Sequence, residues 1–498
     1  MAAIITEKFR QHNATQFFES FSEASASTYY LFVGKATAYT SGTTGGSDSS
    51  PPTPSDSPTD TEFYAWDSML AAKNVTSSDI TYAIPRRNWA NGTTYDMYDD
   101  NISSSNTTTS GASNLYDSTF YFMTSDYRVY KVLDNNDGSA YSGAEPTSTS
   151  TSPFELGGYV LKYMYSITTS EAAKYLTSDF IPISDDSTVS AAATDGKIES
   201  LKVTAGTGYT NGTYYAAIYG DGTSAGTSSG GIVRITVASN QIQSFGLTAG
   251  TDTTIHAGGA GYTFGTVNLG SGYTFSDSGL SSASNMGGSG GAIEVVISPK
   301  NGHGNSAIAE LGGHYVMSAT TLTQAENDDI TTSNDFRQVG LVVDPTNYGT
   351  STVATASTRR QTFVVKAASS SGTFEVDEKI TQASTGAVGK VVEWDSTLSL
   401  LYFQQERFGD YGTNSTTGDH SVFTGANLIT GGTSSATLTP TTDSETITLA
   451  NNNTLSTTSG YANPELQPDS GNIVYLENRK PIQRDSDQTE DIKLIIEF

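Results

Sequence analysis

The feature that most restricts the fold is internal duplication of short glycine-hinged strands. IESLKVTAGT (Ile198–Thr207) recurs 44 residues on as IQSFGLTAGT (Ile242–Thr251). GTGYTNGT (Gly206–Thr213) recurs as GAGYTFGT (Gly259–Thr266) and in part as GSGYTF (Gly270–Phe275), and GGIVRITV (Gly230–Val237) as GGAIEVVI (Gly290–Ile297). Strand, turn and strand used twice predict one β module of two similar halves rather than a solenoid, which needs three or more units. A second duplication has a 49-residue offset: Phe374, Ile380, Thr381 and Ala387 recur as Phe423, Ile429, Thr430 and Ala436. The hairpin pattern KVVEWDSTLSLLYF (Lys390–Phe403) lies between these copies, so the pair predicts a small closed barrel without free edges.

The flanking segments carry the apolar and aromatic residues. Thr6 is positioned to cap a helix through FFESF, with Phe9, Phe17 and Phe21 near one face. STYYLFVGKATAY reads as a buried strand, TEFYAWDSMLAAKNV as a helix, and ITYAIPRRNW as a strand broken by Pro85. FYFMTSDYRVYKVLD is a strand pair turning at Thr124–Asp126 and closed by NNDG at Asn135–Gly138; GYVLKYMYSI adds a strand and Ser306–Leu311 a helical patch. Residues 41–60 hold no apolar residue except proline and form a polar loop. The expected fold is mainly β: a multi-domain, β-sandwich-like core with few helices, interrupted by two inserted small β modules. Residues 1–190, 299–360 and 441–498 form that core, and 195–298 and 361–440 are the insertions.

Composition removes several functions. The absence of cysteine excludes disulfides, thiolate metal sites and a cysteine nucleophile. Lys+Arg number 25 against 52 Asp+Glu, a net charge of −27, which disfavours broad nucleic-acid binding because phosphate contacts need cations. No apolar run is long enough to span a bilayer, and MAAIITEKFRQHN lacks the layout of an export signal, so neither membrane nor secretion is expected.

Catalytic motifs are weak. GGSGG (Gly287–Gly291) has the letters of a nucleophile elbow but lies in a glycine-serine loop before a strand. The histidines His12, His256, His303, His314 and His420 show no i, i+4 pair; His303 and His314 flank Glu310, a metal reading that ranks below ordinary turn and strand positions. Acidic pairs at Asp99–Asp100, Asp134/Asp137, Asp185–Asp186 and Asp328–Asp329 lack EF-hand spacing and read as solvated turn carboxylates before loop calcium sites. Tyr209, Tyr262 and Tyr273 of the GxGY turns pack across a turn or, in a second reading, stack on sugars. No enzyme, metal or cofactor is expected. The exception to a charge-poor chain is a cluster at Glu477, Arg479, Arg484, Asp485 and Asp487, with a second patch at Arg86, Arg87 and Trp89. Arginine–carboxylate forks beside strands suit interface contacts, a solvated strand end being the plainer reading.

The same segments resemble a known family. TEKFR (Thr6–Arg10), AIPRRNW (Ala83–Trp89), YRVYKVLDN (Tyr127–Asn135), GYVLKYMYSI (Gly158–Ile167) and above all IVYLENRKPIQRDSDQTEDIKLIIEF (Ile473–Phe498) resemble the gene-eight baseplate wedge subunit of contractile-tailed, T4-like bacteriophages. NDFRQVGLVVDP (Asn334–Pro345) is similar to versions from marine cyanobacterial phages. The resemblance implies a structural β protein of the virion tail, assembled in the host cytoplasm. It implies a homodimer within each wedge of a sixfold baseplate, with other wedge proteins as partners and the two charged patches as interface candidates. A carbohydrate-binding tail adhesin is the alternative, and a cell-wall glycosidase ranks last because no carboxylate pair can be nominated.

Overall fold

The computed structural model describes residues 5–39, 45–57, 61–222, 230–270, 280–326, 328–332, 334–405, 420–449 and 452–498. The third GxGY copy, with Tyr273, and parts of the polar loop at 40–44 and 58–60 fall outside them. The chain is mainly β, with several separate sheets and short helices. It divides into two units: Met1–Gln16, Thr81–Met317 and Ile495–Phe498 form one, and Phe17–Ile80 with Ser318–Leu494 the other.

The N-terminal helix, Glu7–Glu19, which lies in the first unit as far as Gln16, starts where Thr6 Oγ1 accepts the Phe9 N–H (3.3 Å). Phe9 does not join the predicted apolar face; it is 53% exposed, while Ala14 is the buried position. Strands Tyr121–Met123, Arg128–Asp134, Tyr159–Ser166 and Phe154–Leu156 form an antiparallel sheet in that order. Its Arg128–Asp134 and Tyr159–Ser166 strands are covered on both faces over nearly their whole length, which accounts for their continuous rather than alternating apolar pattern.

The duplicated module begins with strand Ser200–Thr204, paired to Ala292–Val296. Its second copy departs from the first: only Gln241–Ile242 is extended before the chain turns, Asp252 N–H donating to Thr248 O. The two GxGY tyrosines hold the halves together reciprocally. Tyr209 Oη accepts the Gly291 N–H (2.9 Å), and Tyr262 Oη accepts the Gly231 N–H (3.0 Å), so each half's tyrosine docks on the other half's GG strand. The rings lie where a Cβ at Gly288 or Gly222 would meet them, so both positions need glycine. Tyr209 and Tyr262 are buried and unavailable for stacking on sugars. Tyr262 Oη also donates to Ile218 O (3.2 Å), so Tyr262→Phe strands two buried backbone groups where Tyr209→Phe strands one. Tyr262→Phe should cost about 1–3 kcal/mol and Tyr209→Phe roughly half that. Hydrogen exchange at strand Gly231–Ala238 checks the order; equal costs would contradict this geometry. The module shares its core with the preceding sheet, because Leu133 and Val160 pack in one cluster with Ile198, Leu201, Ile235 and Ile293.

In the second unit a sheet runs Thr358–Arg360, Met69–Val75, Tyr29–Gly34, Phe336–Val343 and Asn472–Ile482. MLAAKNV is thus a strand and not the tail of a helix, which ends at Ser68. Its small residues Ala71 and Ala72 fit between Arg360/Arg359 on one side and Val33/Phe32 on the other, and ladder bonds on both edges override helical propensity. The second duplication builds a closed barrel: Phe363–Ser371 pairs with both Leu400–Gln404 and Thr437–Pro440, shutting the sheet. Thr381 lies opposite Thr430, its own duplicate, so the copies pair with each other about a local twofold. Phe374, Ile380, Ala387, Phe423, Ile429 and Ala436 all enter one buried cluster.

Candidate protein interface

In the first unit, strand Ile80–Pro85 ends at a residue that has no N–H for the ladder, and the chain continues as RRNW. Arg86 is held by main-chain oxygens, with Nη1 donating to Thr177 O (2.7 Å) and its N–H to Asp179 O (2.7 Å). Arg87 lies over the Tyr121 ring (4.4 Å), donates Nη2 to Tyr116 O (2.8 Å) and leaves Nη1 buried without a hydrogen bond. Burial drives the Tyr121 phenol far above its ordinary range despite the arginine. Trp89 packs edge-on to Tyr141 (5.8 Å), and its Nε1 is likewise buried without a partner. All three residues are half-buried.

In the second unit the strand Asn472–Ile482 is the last in its sheet. Ile473, Val474, Tyr475, Leu476 and Ile482 are apolar, yet no residue of the strand is fully buried and Val474 is 48% exposed. The register against Phe336–Val343 slips twice. Val474 is an extra residue opposite Leu341/Val342, and Arg479, Lys480 and Pro481 together face the single position between Phe336 and Gln338. Bulges, basic residues and a proline blunt part of the edge against open-ended pairing. Strand Thr489–Glu497 is similar, with Leu494 its one buried residue.

The charged cluster is not one site. Glu477 accepts the Tyr475 hydroxyl (2.9 Å) and pairs with Arg479 (3.4 Å); burial, then Glu477, pushes the Tyr475 phenol up to about 12. Arg484 instead turns inward. It forks onto Glu490 (3.1, 3.1 and 3.0 Å) and donates to Thr331 O (2.9 Å) and Gln324 O (2.6 Å), away from Asp485 and Asp487, which are exposed. Asp485 accepts the Ser486 N–H (2.6 Å). Glu490 was not singled out in the sequence, although its position six residues from Arg484 across a tight hairpin is the signal that marks it.

The histidines do not pair. His303 is buried edge-on to Tyr98 (5.0 Å), and burial with Lys131 and Lys162 nearby holds it uncharged. His314 lies against Glu7, Nδ1 to Oε2 3.4 Å. Glu310 pairs with the fully buried Lys131, and its other oxygen accepts the Gly304 N–H (2.7 Å). Among the described residues no group of three His, Asp or Glu is placed to hold a metal ion, and no helix is long and apolar enough to cross a membrane. Ser289 of GGSGG sits in a short exposed strand paired with Thr207–Tyr209, without the strand-to-helix turn of a nucleophile elbow.

The interface candidates coincide with what the chain shares with known proteins. Residues 3–152 and 441–498 match the family model described as Gp8 of bacteriophage T4. RRNW and both C-terminal strands lie inside the matched residues, whereas strand Phe336–Val343, which bridges Tyr29–Gly34 to Asn472–Ile482, lies outside them. No curated protein matches the chain. Through these two segments, which together make up less than half of the chain, the protein is similar to the phage Gp8 family of baseplate structural proteins.

Proposed function

We propose that this protein is a subunit of the tail baseplate wedge that dimerises and holds other wedge subunits together within a sixfold assembly. The observation that carries the reading is the pair of C-terminal strands, Asn472–Ile482 and Thr489–Glu497. They lie in the family-matched residues and bear apolar side chains that the chain itself covers only in part. Such half-covered strands with a charged rim suit protein interfaces, whose centres are apolar and whose margins are polar. RRNW, inside the matched N-terminal segment, is the second contact candidate.

Residues 195–298 and 361–440 are read as insertions into a core of 1–190, 299–360 and 441–498. The match supports this by stopping at 152 and resuming at 441. No catalytic role is assigned, and the place of action is the virion tail after assembly in the host cytoplasm.

Hydrogen exchange on the free chain and on the chain assembled with the other baseplate subunits tests this reading. Amides at 472–478 and 489–497 should gain at least tenfold protection on assembly, and Val474→Asp should weaken incorporation. Unchanged exchange at both strands, with Val474→Asp assembling normally, would remove this surface from the proposal.

A further inference from the structure

A cavity of about 250 Å³ in the first unit opens between the loop after Met97, the turn Asn135–Gly138 and the duplicated module. Three carboxylates line it, those of Asp99, Asp134 and Asp137. Asp99 is already matched, because Lys202 pairs with it and Asn106 Nδ2 donates to it (3.1 Å). The other two are not. Asp134 is only 8% exposed, and one oxygen accepts the Asn136 N–H (2.9 Å). The second oxygen has no hydrogen-bond partner among the described residues, and no cation pairs with the group. Asp137 accepts only the Ser244 hydroxyl (3.2 Å). Asp134 is therefore not the solvated turn carboxylate its sequence context suggests. Burial, with Asp137 and Glu155 adding like charge, carries its carboxyl up to about 7.

A buried carboxylate without a counterion is costly, and a cation entering the cavity relieves that cost. Met97, Ile102, Val203 and Phe245 supply the cavity's apolar lining, and Lys202, the partner of Asp99, also lines it. Lysine and arginine have this pairing of features, an aliphatic stem that lies along apolar surface and a charged head. A bare metal ion fits less well, since no set of three ligands is gathered here.

We propose that this cavity receives a lysine or arginine side chain from a partner protein, its head between Asp134 and Asp137 and its stem against Phe245. The source of that side chain rests on the baseplate reading; the cation site itself does not. It is built jointly by a family-matched segment and the module beyond the match, so it belongs to versions of the family that carry the module.

Binding of L-argininamide to the full chain at pH 8, followed by titration of the Met97, Val203 and Phe245 NMR signals, tests the proposal. Citrullinamide, which has the same α-amino group but an uncharged ureido side chain, is the paired probe. Argininamide should shift these signals saturably and citrullinamide should not, and Asp134→Asn with Asp137→Asn should weaken the response at least tenfold. The exposed pair Glu23→Gln with Asp56→Asn removes the same charge elsewhere and should leave it unchanged. Equal responses to both probes, or equal loss in both double variants, would overturn the site. Argininamide binding as expected, without any cross-link from a baseplate lysine or arginine to this cavity in assembled tails, would overturn the partner as occupant while the cation site stands.

Discussion

Replacing Glu310 with glutamine should destabilise the first unit by about 3–5 kcal/mol, the usual cost of stripping one partner from a buried ion pair. Lys131 is fully buried and sits over the Tyr98 ring (4.9 Å), so its ammonium has no water to turn to once the carboxylate is gone. Burial lowers the Lys131 pKa, and Glu310 opposes that shift without overcoming it. Glutamine keeps an oxygen for the Gly304 N–H, so the loss isolates the charge. Native-state hydrogen exchange at Arg128–Asp134 and Tyr159–Ser166 measures it within one unit and avoids treating the whole chain as two-state. Lys131→Met with Glu310→Gln should recover most of the loss, because no charge is then left behind and the Gly304 N–H keeps its acceptor. A single-variant effect below about 1 kcal/mol would mean that Lys131 finds another partner or sheds its proton at no cost.

Arg484→Ala should cost the second unit a comparable amount, about 3–5 kcal/mol. The guanidinium satisfies the Glu490 carboxylate and two main-chain oxygens at once, and all lose their donor together. Arg484→Lys should restore only part of it, since an ammonium cannot reproduce the planar fork. Exchange at Thr489–Glu497 in the isolated chain is the decisive readout. A residue that served a partner would leave the isolated chain unchanged when removed, whereas Arg484 as a staple of its own hairpin should raise exchange there with no partner present.

The β class and the barrel were legible because duplication, alternation and turn residues all agree locally: Ile380 and Ile429 recur with their neighbours and end in one core. MLAAKNV misleads because its residues favour a helix by themselves, and only the strands on either side reveal the ladder. The Lys131–Glu310 pair joins residues 179 apart with no local mark. The interface cluster was visible as composition, but which members point inward depends on hairpin geometry. Charge density in the sequence locates the strand end and says nothing of Arg484 facing Glu490 instead of Asp485.

The crossed tyrosines of the duplicated module bear on how such a repeat can drift. Each copy's Tyr is received by glycines of the other, so a change in one half is judged against the surface of its twin. Among the letters the copies still share, GxGY and GG mark positions at which they touch. Elsewhere the halves have separated, a full strand at Ser200–Thr204 against two extended residues at Gln241–Ile242. The surviving GxGY and GG letters thus stand as the imprint of one half on the other.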